Sequence, residues 1–378
     1  MATAETDDRA RSERAGASGG PVRVAIVGTG VIADVGHLPA LRALGSEVDV
    51  VAAVDVAADK LADFADRWKI PGRYTRLDAM LAAEAPDLAI VATPPVLHRE
   101  QVAQVLGSGA WALCEKPPTL SLADYDDMTA AEGADGPYAP IVFQLRYGPG
   151  ARHYRRLLAA GDLGRPLVVH CQTTWYRGPD YFAPEWRGNF GGDGGPAMVM
   201  GIHNIDLMLT MLGPWREISA FAATTSRDIA TDDVSTAIVR FESGALATMA
   251  TSAVSPESVT HLRIDTELAT VKLTHLYRYW NSDWTCVPAE GVDEDTVAGW
   301  VNDLPDEETN HGCQLRTVLD DFRHGRRPET SGAGGRAAVE LITALYKSAF
   351  TGQTVKRDEI GPGDPFYYRL DGTGSARG

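Results

Sequence analysis

VRVAIVGTGVIADVGHLPAL, residues 22–41, decides how the rest of the chain is read. An apolar run, Val22 to Val27, stops at Gly28-Thr29-Gly30-Val31-Ile32-Ala33, a helical stretch follows through Leu44, and a second apolar run occupies Val48 to Val54. Strand, Gly-rich turn, helix and strand make a β-α-β unit. The turn has the form G-x-G-x-x-A. Gly28 permits the tight turn, Gly30 lets the backbone come close to a pyrophosphate, and small Ala33 lets the helix pack on the strand. With Thr29, Val31 and Ile32 they form a cradle at a helix N-terminus, where negative charge is favoured. The hexapeptide by itself is a weak signal, since other glycine-rich turns match it. Its context strengthens it: Asp55 ends the second strand, 22 residues after Ala33, where a carboxylate can accept the ribose hydroxyls. That carboxylate repels a 2'-phosphate and no arginine directly follows it, so NAD is preferred over NADP.

Working outward, strands are expected at Leu88–Ala92, Trp111–Cys114 and Ile141–Gln144, with helices near Ala57–Trp68, Leu77–Ala83, Val96–Leu106 and Leu122–Glu132. The strands are nearly continuous apolar runs, which favours a doubly wound parallel sheet buried on both faces. Ligands of such sheets gather at strand C-termini. Thr93, Pro94, Glu115 and Lys116 follow such ends and are therefore expected beside the cofactor, together with His98. Lys116 reads either as a solvated surface lysine or as a lysine beside the nicotinamide, with its charge disfavoured there.

Four stretches carry a resemblance: VAIVGTGVIADVGHLPAL (24–41), IVATPPVLHREQVAQVLGSGAWALCEKPPTLS (90–121), GGPAMVMGIHNIDLMLTMLGPW (194–215) and RAAVELITALYKSAFTGQTV (336–355). With EKP after the fifth strand and a GIHxxDL helix behind the fingerprint, the chain resembles the glucose-fructose oxidoreductase, inositol dehydrogenase and MocA family from about Val22 to Tyr368. The resemblance implies a Rossmann domain followed by an α+β domain with a large, open, mostly antiparallel sheet that often forms the dimer contact. The expected division is a disordered tail over 1–20, an NAD-binding domain over 21–140, a substrate and dimerisation domain over 141–368, and a flexible tail over 369–378. It also implies that Lys116 and His203 act at the reacting oxygen. Arg146, Tyr147, Asn204 and His311 become substrate candidates on family position, and His37 and His98 structural or cofactor-adjacent ones. Asp206, three residues after His203, either orients that histidine or packs its helix. Many members carry an aspartate four residues before the histidine. Here Val199 stands in that place, so the proton relay differs or does without it.

The second half agrees on its own pattern. Strand-like runs occupy Pro166–Thr174, Ile218–Thr225, Val234–Phe241, Ala245–Ser252, His261–Asp265 and Thr270–Thr274, with Glu242-Ser243-Gly244 as a hairpin turn. Helices are expected at Ala151–Ala160, Met198–Leu212, Asn310–His324 and Arg336–Thr351. Trp175-Tyr176-Arg177 through Glu185-Trp186-Arg187-Gly188-Asn189 mixes flat rings with hydrogen-bond donors, which suits a sugar, with Trp186 and Arg187 as named candidates. The same stretch also reads as an ordinary packing loop.

The bulk numbers exclude other classes. A formal charge of -16 over 378 residues opposes a grip on nucleic acid. No apolar stretch is long enough to span a bilayer, which takes roughly 20 residues, and the first residues lack a secretory h-region. Cys114, Cys171, Cys286 and Cys313 show neither metal-ligand nor disulfide spacing, so reduced thiols in a cytoplasmic protein are expected, with no metal. The combined expectation is NAD(P)-dependent interconversion of a secondary alcohol and ketone on a sugar, sugar derivative or cyclitol by a homodimer or homotetramer joined through the C-terminal sheet. The alternatives are a redox-neutral enzyme using tightly bound NAD for transient oxidation, and a non-catalytic NAD-sensing protein.

Overall fold

A computed structural model describes residues 20–376; residues 1–19 of the tail expected over 1–20 and residues 377–378 of the tail expected over 369–378 lie outside the described residues. The chain divides into two compact units, one of 20–119, 124–142 and 310–335, the other of 120–123, 143–309 and 336–376.

The first unit is built on β1 (Val22–Val27), β2 (Val48–Val54), β3 (Gly72–Tyr74), β4 (Leu88–Val91) and β5 (Trp111–Cys114), paired in the order β3-β2-β1-β4-β5 and parallel throughout. β4 and β5 are wholly buried, as their unbroken apolar sequences require. β3 has no apolar run to announce it: it is a three-residue edge strand and none of its residues is fully buried. The strand expected over Ile141–Gln144 does not form. Ile141 makes one parallel bridge to Cys114, its N–H turns to the Thr330 carbonyl, and a 3-10 turn follows over Gln144–Tyr147. Thr330 belongs to the late segment 310–335. Its helix, His311–Arg323, buries Leu315, Val318, Leu319 and Phe322 in the same core as Val24, Ile26, Leu38 and Trp111. These apolar positions recur at helical spacing, so the helix has one face to hide.

The second unit carries an eight-stranded sheet of β6 (Pro166–Thr174), β7 (Trp215–Ala223), β8 (Val234–Phe241), β9 (Leu246–Ser252), β10 (Val259–Thr266), β11 (Ala269–His275), β12 (Trp284–Pro288) and β13 (Val355–Lys356). The order is β12-β11-β10-β6-β9-β8-β7-β13; β6 and β9 pair parallel and every other pair is antiparallel. The hairpin at Glu242-Ser243-Gly244 forms, with Gly244 at φ 89°. In β8, Ala237, Val239 and Phe241 are buried while Thr236, Ile238 and Arg240 are exposed, the period of two that a one-sided sheet imposes. Leu370 is fully buried and Asp371 closes a small turn, so order extends past Tyr368 into the stretch expected to be a flexible tail. Among the described residues no helix is long and apolar enough to cross a membrane, and all four cysteines are free.

Candidate active site residues in the two units

In the first unit, Gly28 sits at φ 94° against the Ala92 carbonyl, where a Cβ would come within 2.7 Å of that oxygen; no other residue fits this turn. Gly30 differs: a Cβ there would meet nothing within 4 Å. Its bareness keeps a space open rather than relieving a clash inside the protein. Val31, Val56 and Val96 follow the ends of β1, β2 and β4 and remain 78%, 88% and 57% exposed, an apolar rim around that space. A dinucleotide's phosphates and flat rings fit these features. Asp55 Oδ2 accepts the Thr29 amide (3.0 Å) and hydroxyl (2.7 Å), and Oδ1 accepts the Ala57 amide (3.0 Å). Partial burial would raise its pKa, but these bonds and Lys60 overrule it and bring the carboxyl to about 2. Asp55 is thus ionised and aimed before any ribose arrives.

Ala33–His37 forms one π-helical turn, closed by the Leu38 amide on the Ala33 carbonyl, before the α-helix Leu38–Ala43 begins. That turn buries His37. Its Nε2 lies 2.7 Å from Glu115 Oε1, and His311 Nε2 approaches the same oxygen at 3.4 Å. Glu115 Oε2 accepts the Lys116 amide at 3.0 Å. Burial alone would raise the Glu115 pKa; the two imidazoles overrule it and hold the carboxyl well below its usual range. Burial keeps His37 below the ordinary imidazole value despite Glu115. The three ligand-type atoms lie within 4.8 Å of one another, yet 2.7 Å is a hydrogen-bond separation, shorter than the roughly 3.3 Å between two ligands on one zinc.

These contacts show where several of the expected site residues sit. Both oxygens of Glu115 contact protein groups and brace the turn that bears Lys116. His311 lies beside the same Glu115 oxygen. His98 is wholly buried, with Nε2 2.7 Å from the Thr93 carbonyl and Nδ1 3.0 Å from that of Pro117. It sits between the two turns expected to border the cofactor and can donate its single N–H to one of these carbonyls. Glu115→Gln keeps one oxygen, so it leaves either the Lys116 amide or the imidazole side without its acceptor, and is expected to cost about 1–3 kcal/mol, measured by urea denaturation at pH 7.5. Both Glu115 and His37 have lowered pKa values, so their contribution is present above the unfolded values and lost on acidification. Melting temperature should therefore fall as pH drops below about 6.5.

In the second unit, His203 lies in the helix Ile202–Leu212, which continues a π-helical turn over Ala197–Gly201. The imidazole is 4% exposed and packs edge-on against Phe143 and Tyr277, at centroid distances of 6.3 and 6.1 Å. Val199, where the family aspartate would stand, packs against an apolar cluster of Trp175, Met200 and Ala253. Asp206 is committed to Arg146, whose Nε donates to Oδ2 at 2.9 Å and whose Nη2 bonds Oδ1. This fork is buried, so Arg146 is held by Asp206 in the second unit. Tyr147 is likewise buried, with the Arg152 guanidinium over its ring. Asn204 donates to the carbonyls of Gln172 and His261, both at 3.1 Å, and pins its helix to β6 and β10. Trp186 and Arg187 stay accessible, Arg187 lying over the rings of Tyr181 (3.8 Å) and Trp186 (4.4 Å).

Comparison with known proteins agrees with this architecture. Residues 22–137 match the oxidoreductase family with an NAD-binding Rossmann fold, and 151–272 match the GFO/IDH/MocA C-terminal domain. The chain belongs to the GFO/IDH/MocA family. D-apiose dehydrogenase of Paraburkholderia graminis is 26% identical over 88% of each chain, and inositol 2-dehydrogenase of Rhodococcus erythropolis 34% identical over 40% of this chain and 43% of its own. The WlbA dehydrogenase of Bordetella pertussis, solved in complex with NADH and UDP-GlcNAcA, superimposes with TM-score 0.79 at 26% identity, covering 89% of this chain and 98% of that one. This member is accordingly an NAD-binding oxidoreductase of the dehydrogenase and reductase class.

Proposed function

We propose that the protein interconverts a secondary alcohol and a ketone on a sugar, sugar derivative or cyclitol, with Lys116 polarising the reacting oxygen and His203 exchanging its proton. The observation that carries this reading is the first unit's combination of a cleared approach at Gly30 with a lysine turn braced by His37, His98, Glu115 and His311. NAD accepts or returns the hydride; Gly28, Gly30, Thr29 and Asp55 would hold it. Relatives named D-apiose dehydrogenase and inositol 2-dehydrogenase support the substrate class. Val199 removes the third member of a Lys-Asp-His set, so the relay runs on two groups. The test is nicotinamide absorbance with NAD or NADP against a panel of cyclitols, free sugars and sugar derivatives. Turnover with one class names the chemistry, whereas silence with all of them while cofactor binds rejects the dehydrogenase reading.

The same proposal includes a homo-oligomer joined through the exposed face of the second unit's sheet. Phe221 and Ile238 are 81% and 60% exposed there, on neighbouring strands, with Val168 and Leu246 beside them. Phe221→Asp combined with Ile238→Asp is expected to convert the protein to monomer in light scattering. An unchanged mass would place the contact elsewhere.

A further inference from the structure

Three arginines crowd one loop system of the second unit. Arg177 lies over the rings of Trp175 (5.3 Å) and Tyr181 (4.9 Å), Arg187 over Tyr181 and Trp186, and Arg227 over Tyr176 (5.2 Å). Arg227 Nε donates to the Arg177 carbonyl at 3.0 Å, so the cluster is continuous. In a chain with net charge -16, a run of cations should be easy to neutralise from within. Among the described residues none of the three forms an ion pair, although Asp180, Glu185 and Asp228 are their sequence neighbours and buried Asp193 lies close enough to feel the charge of Arg187. The Nε–H of Arg177 is buried without a hydrogen-bond partner. Rings hold the guanidinium faces, Arg177 Nη1 and Arg227 Nε donate to the Tyr176 and Arg177 carbonyls, and the remaining planar N–H edges have the geometry that receives carboxylate or phosphate oxygens two at a time.

The cluster also leads toward the candidate proton-exchange residue. Trp175, beneath Arg177, packs on Tyr277 with centroids 5.8 Å apart, and Tyr277 packs on His203. The cluster and His203 thus contact the two ends of one set of packed rings.

We propose that Arg177, Arg187 and Arg227 form an anion subsite, and that the substrate is a sugar derivative bearing a carboxylate or phosphate rather than a neutral sugar. The proposal rests on the sugar reading above and narrows it. It also accounts for Trp186, whose half-exposed ring is placed to cover a sugar face.

The test is calorimetric titration of the NADH-loaded protein with glucose, glucuronic acid, glucose 6-phosphate and uridine diphosphate glucose at two salt concentrations. At least one anionic member should bind about tenfold or more tighter than glucose and weaken at high salt. Arg187→Gln and Arg177→Gln should each weaken that binding by about 10- to 100-fold, and Arg187→Lys less, because the charge survives without the fork. Arg216→Gln, an exposed arginine elsewhere in this unit, serves as the control. A preference for the carboxylate or a phosphate identifies the source of the charge. Equal binding of glucose and its anionic derivatives, anion binding unaffected by both glutamine variants, or inorganic phosphate binding as tightly as the sugars would each overturn the proposal. Anionic sugars that bind through the arginines but are never oxidised or reduced would defeat the dehydrogenase reading and leave the subsite standing. Neutral-sugar turnover untouched by the arginine variants would do the reverse.

Discussion

Replacing Lys116 with methionine is expected to lower kcat/KM by about 10³-fold while NADH affinity stays within about threefold. Methionine keeps most of the side chain's length and apolar body but has no ammonium, so the variant removes a charge and a proton donor with little loss of volume. The proposed cofactor grip lies elsewhere, in the turn at Gly28 and Gly30 and in Asp55, which its own hydrogen bonds hold ionised. The amide of residue 116 still finds Glu115, whose position depends on His37 and His311 rather than on the lysine side chain. The loss should therefore appear in kcat rather than in binding. Steady-state kinetics with the substrate found by the panel, beside NADH fluorescence titration, checks both halves. A loss smaller than tenfold would make Lys116 an ordinary lysine at a strand end.

Asp232→Asn is expected to stabilise the protein in alkaline solution and do little in acid. Asp232 is 4% exposed; its Oδ1 accepts the Tyr346 hydroxyl at 3.0 Å and its Oδ2 is buried with no hydrogen-bond partner. Burial pushes this carboxyl up to about 7, against the pull of Tyr346 and with adjacent Asp233 adding to the rise. A folded value above the unfolded 3.8 means that the folded state favours the proton. The stability tied to it is complete below pH 3.8 and lost as pH rises through about 7. At pH 8 the penalty is on the order of 4 kcal/mol, of which an amide left with an unsatisfied donor would give back about 1–3. The variant's melting temperature should exceed the parent's by about 2–6 °C at pH 8 and match or fall below it at pH 4. A difference independent of pH would mean that Asp232 titrates like a solvated carboxylate.

The positions that a local rule governs were legible before any tertiary contact was known. G-x-G-x-x-A with an acidic residue after the next strand specifies a turn and a cofactor, because one tight turn and one phosphate-binding helix end need only neighbouring residues. Alternation in β8 and unbroken apolar runs in β4 and β5 likewise declare which faces are buried. Family resemblance added Lys116 and His203 and flagged Val199.

Partnership across long sequence separations was decided only by the tertiary structure. The helix that carries His311 belongs to the first unit and sets the imidazole beside Glu115, 196 residues earlier in the sequence, a partnership no local pattern announces. Arg146, Asn204 and Glu115 have the chemistry of ligand-binding residues, and sequence cannot tell whether such a group meets a ligand or another protein group. Here each meets protein, since a buried donor or charge must be satisfied and the nearest folded neighbour does it. The arginines at 177, 187 and 227 show the converse. Arg177 and Arg187 lie in a stretch that reads from sequence as either a sugar-binding or a packing loop, and only the folded loops bring Arg227 to them and set all three guanidiniums over aromatic rings.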